Sequence, residues 1–197
     1  MKKEHGFTLV EILVALGIFL LIGGAAFQFL FSSFAIQRNT LGRQMLVNQL
    51  SFVVEYMSRA VREAEKDLAV SVGDCLTTGD HLNYEVLNGG TTLRFLDKQN
   101  RCREILLNTS TYAIQERISP PPPDNKAIQL GAPVDLTADD IEVQELYFFI
   151  DGEEQTDRQQ PRVTFFIKAQ TKGYAPEAQA KTQLQTTISP RRYDVQE

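Results

Sequence analysis

Residues 6–37 read GFTLVEILVALGIFLLIGGAAFQFLFSSFAIQ, and from Ile12 to Gln37 there is no charged side chain. Gln28, Ser32 and Ser33 are the few polar side chains inside that run. A helix needs about 20 apolar residues to cross a bilayer, and this run is long enough. Lys2 and Lys3 stand before it. By the positive-inside rule the N-terminus faces the cytoplasm and the remainder lies beyond the membrane. Glu11 is the exception near the start of the run. A carboxylate costs about 2.5–3.5 kcal/mol at the bilayer centre, less near the interface, and its presence in such a helix points to a partner. The plainer reading of Glu11 is an interfacial carboxylate that snorkels to water.

Whole-chain averages conceal this segment. The 197 residues are 43% apolar and 23% charged with a net charge of -5, and the mean hydropathy is -0.21. Those values exclude a polytopic membrane protein and a wholly disordered chain. A conventional signal peptide has an apolar core of about 7–15 residues, much shorter than this one, although Gly23-Gly24-Ala25-Ala26 could mimic a cut site. A plain membrane anchor explains the length and leaves Glu11 unexplained. A third reading accounts for both. Lys2-Lys3-Glu4-His5-Gly6, then Phe7-Thr8-Leu9-Val10-Glu11, resembles the class III signal of type IV prepilins and pseudopilins. That resemblance implies a leader over residues 1–6, removed by a prepilin peptidase after Gly6. It implies an N-methylated Phe7 as the new N-terminus, and Glu11 as the carboxylate that neutralises a neighbouring subunit's amine during assembly. In low dielectric such a pair interacts far more strongly than in water, with desolvation offsetting much of the gain.

Beyond the apolar run, Leu46, Leu50, Val53, Val54, Met57, Val61, Ala64 and Leu68 recur three or four apart, an amphipathic helix. No proline occurs from Met1 to Ser119. The spacing predicts one nearly continuous helix from about residue 8 to about residue 66, roughly 90 Å at 1.5 Å per residue. The chain thus divides into the leader at 1–6, a transmembrane and filament-core helix at 7–37, its amphipathic continuation at 38–72, and a β-rich head at 73–197. Strands are expected at 91–96, after the turn signal Asn88-Gly89-Gly90, and at 102–107, 111–118, 141–150, 162–169 and 183–189, with Leu146-Tyr147-Phe148-Phe149-Ile150 as a buried strand within 141–150. Pro120 to Pro123 exclude regular structure there and make a stiff connector, or alternatively a Pro-rich ligand. The fold class is α+β: a long N-terminal helix whose second half packs on an antiparallel sheet, as in the pilin fold.

Cys75 and Cys102 both fall in the head. An even count in an exported domain favours a disulfide, with two free buried thiols as the alternative. Chemistry is otherwise sparse. His5 belongs to the leader, and His81 is then the one histidine left in the mature chain. No G-x-S-x-G, H-E-x-x-H or P-loop string occurs, so an enzyme is not expected, and neither a catalytic residue nor a cofactor is assigned. The acidic turn with Asp151, Glu153, Glu154 and Asp157 could offer oxygen ligands to calcium but lacks EF-hand spacing; a solvated hairpin turn accounts for it, and no metal site is assigned. Arg191 and Arg192, beside Tyr193, are slight basic material on an acidic chain, so nucleic acid is not expected as a partner.

A weaker resemblance spans the head. Leu93-Arg94-Phe95 with Asp97, Arg101 and Cys102, then Tyr112 to Ile118, Gln160-Pro161-Arg162-Val163-Thr164 and Leu184-Gln185-Thr186-Thr187-Ile188-Ser189 are similar to stretches of PilW-type minor pilins and J-type pseudopilins. It implies a low-copy structural subunit that helps initiate a type IV pilus or sits at its tip. A J-type subunit of a type II secretion pseudopilus is the alternative, and a DNA- or surface-binding pilus subunit is the alternative of another class. Implied partners are other pilins through the N-terminal helix, the prepilin peptidase, the inner-membrane assembly platform, and lipid before assembly. The implied location is the bacterial inner membrane, crossed once with the head in the periplasm, and then the filament.

Overall fold

The structure, a computed structural model, describes residues 6, 8–67, 75–76, 82–121, 129–152, 159–172 and 179–190. The chain forms two compact units, residues 1–41 and 42–197. One helix, α1 (Leu9–Arg62), runs from the first into the second. It continues unbroken through Gly23 and Gly24. A glycine weakens a helix interior by about 1 kcal/mol relative to alanine, and no proline adds to that strain here.

The first unit is helix that buries almost nothing. Leu9, Phe19, Leu21, Phe29 and Phe31 are each at least 70% exposed, and an 18-residue window reaches a mean hydropathy of 2.5. A helix apolar on all sides belongs inside a bilayer or a helix bundle. Two of its hydroxyls bond back within the helix: Ser32 donates to the Phe29 carbonyl at 3.1 Å and Thr40 to that of Ile36 at 3.0 Å. Such back-bonding lets a polar side chain sit in an apolar segment.

The second unit is the head. It contains β1 (Tyr84–Leu87), β2 (Thr92–Leu96), β3 (Cys102–Asn108), β4 (Ala113–Ile118), β5 (Val134–Asp135), β6 (Ile141–Asp151), β7 (Arg162–Thr171) and β8 (Lys181–Ile188). These make two antiparallel sheets and not the single sheet expected: β1-β2-β3-β4-β5, and β6-β7-β8. The expected α+β class holds. The six expected strands are present with ends moved by one or two residues. β1 and β5 are additional.

The amphipathic stripe of α1 holds the sheets together. Leu46, Leu50, Val53, Met57, Val61 and Ala64 are buried, as is Ala60. They share one core with Tyr84, Phe95 and Ile105 from the first sheet and Leu146, Phe148, Phe165 and Ile167 from the second. Leu68 lies outside the described residues. A backbone bond links the two sheets: Val143 N–H donates to the Tyr112 carbonyl at 2.8 Å. Tyr112 closes the turn between β3 and β4, its N–H donating to the Asn108 carbonyl at 2.7 Å, with a φ of +57° that is rare for a bulky residue.

Two expectations are corrected. α1 ends at Arg62, before residue 66 and well before residue 72. The buried Tyr84 hydroxyl donates to the Val61 carbonyl at 2.8 Å, and Glu65 N–H turns to the Leu96 carbonyl at 2.9 Å. Side chain and strand edge thus take over groups a longer helix would use. In β6, the stretch from Leu146 to Ile150 is not buried throughout. A bulge between Val143 and Glu145 shifts its phase, so that Leu146 and Phe148 point inward while Phe149 is 63% exposed.

A second, smaller core lies on the other face of the first sheet, made by Leu76, Leu96 and the Cys75–Cys102 disulfide, with Leu82 and Leu130 against it. The bond joins the segment after α1 to the first residue of β3, with Cα atoms 5.2 Å apart and a sequence separation of 27. In the chain-entropy picture closing that loop stabilises by about 3–4 kcal/mol. Replacing both cysteines by serine is therefore expected to lower the unfolding free energy by about that amount. Urea unfolding of the full chain in detergent, compared with the oxidised parent, measures it.

Candidate functional site

The N-terminal site is built around the first turn of α1. Thr8 precedes the helix, and its Oγ1 accepts a hydrogen bond from Glu11 N–H at 3.3 Å. Its carbonyl accepts from Glu11 N–H at 3.1 Å and Ile12 N–H at 3.2 Å. Thr8 is thus the N-cap, and Thr8-x-x-Glu11 has the spacing of a capping box. Sequence reasoning passed over Thr8. The S/T-x-x-E signal before an apolar run was available to find it. Glu11 is exposed in the first turn, where a carboxylate complements the positive end of the helix dipole.

Gly6 is exposed, a Cβ there would meet nothing within 4 Å, and its φ lies outside the left-handed range. Among the described residues nothing packs against Gly6, as is also the case for Gly17, Gly23, Gly24 and Gly42. Phe7, like residues 1–5, lies outside the described residues.

The head carries a polar network across the first sheet. On one face Arg94 of β2 lies between Glu85 of β1 and Glu104 of β3, at 3.4 and 2.7 Å, and Arg117 of β4 reaches Glu104 at 3.3 Å. Signs alternate from strand to strand, so each partly buried charge faces its opposite. On the helix-facing side Arg103 bridges Asp97 at 3.0 Å and Glu116 at 3.2 Å, and Arg101 also reaches Asp97 at 2.9 Å. Asp97 Oδ1 accepts the backbone N–H groups of Gln99 and Arg101, each at 2.9 Å. Burial acts to raise the Asp97 carboxyl; the hydrogen bonds from Arg101 and Gln99, with the Arg101 charge, outweigh it and hold it below the ordinary carboxylate value. The Tyr84 hydroxyl is pushed up by burial and remains a donor.

The other candidates are not brought into a site. Asp151 is an exposed residue at the end of β6; Glu153, Glu154 and Asp157 lie outside the described residues, as do His81, Arg191, Arg192 and Tyr193. Among the described residues no group of three or more His, Cys, Asp or Glu side chains is arranged to hold a metal ion. Pro120 and Pro121 are exposed and outside any strand; Pro122 and Pro123 lie outside the described residues.

Residues 1–27 match the family model described as the prokaryotic N-terminal methylation motif. No curated protein and no solved structure matches the chain. The motif, on a helix long and apolar enough to cross a membrane, supports the class of type IV pilin-like and pseudopilin proteins. The disulfide-closed α+β head fits that class. In general terms it brings a prepilin peptidase and other pilins as partners, and a membrane-anchored form.

The direction at Asp97 fixes a pH dependence. Its folded value lies below the unfolded 3.8. The associated stability is fully present above the unfolded value and is lost as pH falls through the folded one. The urea midpoint is expected to fall between about pH 5 and pH 2, and Asp97→Asn to flatten that slope. A series of urea titrations across that range checks both.

Proposed function

We propose that this chain is a PilW-type minor pilin, a structural and non-catalytic subunit that takes part in assembly or tip formation of a type IV pilus. It is cut after Gly6, methylated on the new Phe7 amine, and held before assembly in the inner membrane with its head in the periplasm. The observation that carries this reading is the methylation motif matched at residues 1–27, in which Gly6 stands directly before Phe7 and five residues ahead of Glu11 in the first helical turn. After cleavage the Phe7 amine and Glu11 are opposite charges at the start of apolar helices. A Glu11 carboxylate of one subunit beside the amine of the next would supply register between helices whose apolar contacts carry none.

Support for the subtype comes from the head. The stretches that resemble PilW-type subunits, 160–164 and 184–189, lead into β7 and form most of β8, and those strands are neighbours, with Val163 opposite Ile188 and Thr164 opposite Thr187. A J-type subunit of a type II secretion pseudopilus shares this pattern. Incorporation into a retractable pilus or into a secretion pseudopilus, followed by immunolabelling in cells carrying each system, separates the two.

Co-expression with a prepilin peptidase is expected to yield a mature chain beginning at N-methyl-Phe7, read by N-terminal sequencing and mass spectrometry. Gly6→Ala is expected to leave most of the chain uncut; normal cutting of that variant, or a mature N-terminus elsewhere, refutes the reading. Glu11→Ala is expected to be processed like the parent yet to enter filaments poorly, measured by the ratio of sheared-filament to membrane-bound protein.

A further inference from the structure

We propose that Tyr56 is a positioning residue that fixes the rotational setting of α1 on the head through its hydrogen bond to Glu116. Most of the α1–sheet interface is apolar: Leu46, Leu50, Val53, Met57 and Val61 bury their side chains against the sheets. The stripe decides which face of the helix is buried, but apolar contact is non-directional and leaves the fine rotational setting open. At the end of the helix the Tyr84 hydroxyl bonds the Val61 carbonyl at 2.8 Å. One hydrogen bond at one end pins a point and leaves rotation about that point free.

Tyr56 adds the second, off-axis point. It is partly buried at the margin of the stripe, with Val53 three residues before and Ala60 four after, both buried. Among the described residues of α1 it is the one whose side chain hydrogen-bonds to a strand: the hydroxyl donates to Glu116 Oε2 at 2.6 Å. Glu116 cannot follow the helix. It is buried in β4, and its other oxygen is held by Arg103 Nη1 at 3.2 Å. Arg103 is in turn fixed by Asp97 at 3.0 Å, which is itself held by the β2–β3 turn. A carboxylate placed beside an apolar interface adds little net stability, and its best-attested use is to select one register. The setting it selects leaves Met45, Val47 and Phe52 on the exposed side of the helix. Their use as contacts for a neighbouring subunit rests on the filament reading above, whereas the lock itself does not.

The test uses the full chain in detergent, with spin labels on Phe52→Cys and Thr109→Cys, both exposed positions, and the native cysteines joined to each other. The parent is expected to give one narrow label-to-label distance by double electron–electron resonance. Tyr56→Phe removes only the hydroxyl, and the distribution is expected to broaden about twofold while circular dichroism is unchanged. Glu116→Gln keeps an oxygen that accepts from Tyr56 and is expected to retain the parent width. An unbroadened Tyr56→Phe distribution overturns the proposal. So does broadening by Glu116→Gln equal to that of Tyr56→Phe, because charge and not the tyrosine bond would then hold the helix. Failure of Tyr56→Phe to fold also overturns it, since a positioning bond is dispensable for folding. The distance is read on the isolated chain, so its outcome is independent of whether the chain enters a filament.

Discussion

A polypeptide in hydrocarbon has no water to satisfy its amides and carbonyls, and a helix answers that demand from within itself. α1 meets this condition over its first half, where no face is polar, and then continues without interruption into a region where one face alone is apolar. The head is organised by that change. Two sheets, each with one apolar face, close around the stripe from Leu46 to Ala64. The helix is therefore both the membrane-length segment and the third wall of the head's core. A substitution at one of the buried positions of this stripe, such as Leu50, Val53 or Met57, acts on the head's folding.

Features set by local pattern were readable from the chain. The run from Ile12 to Gln37 and the three- and four-residue spacing after it specify a helix by periodicity. The strands at β2, β3, β4, β6, β7 and β8 follow from apolar alternation and turn residues. β1 had a weaker signal: Tyr84–Leu87 and Thr92–Leu96 flank Asn88-Gly89-Gly90 as the arms of a hairpin, and only the second arm was evident. β5, at two residues, has no pattern to read. The end of α1 was not legible because residues 57–67 contain neither glycine nor proline. It is set by Tyr84 and the edge of β2, some twenty to thirty residues further along the chain. The partition into two sheets was equally hidden, since it depends on which strand edges meet.

The candidate site divides in the same way. Gly6, Phe7 and Glu11 form a contiguous string and could be recognised as one. Cys75 and Cys102 could be paired only because no other cysteine competes, and the structure confirms the bond. Thr8 carried a local signal that a stronger neighbour obscured. The Tyr56–Glu116–Arg103–Asp97 chain carried none: its members are drawn from a helix, two strands and a turn. Partnership between distant polar residues becomes visible only once the sheets bring them together.

The bulge in β6 acts as a parity switch. Before it, odd-numbered residues Ile141 and Val143 face the core; after it, even-numbered Leu146 and Phe148 do. Gln144 is the residue that changes the count. Loss of that single position would bring Ile141, Val143, Leu146 and Phe148 into one unbroken alternation, all four still opposite the core-facing side of β7. Loss of one residue elsewhere between Ile141 and Phe148 would instead turn one part of the strand outward. The place of a deletion in β6, and not its size alone, therefore decides whether the core face survives.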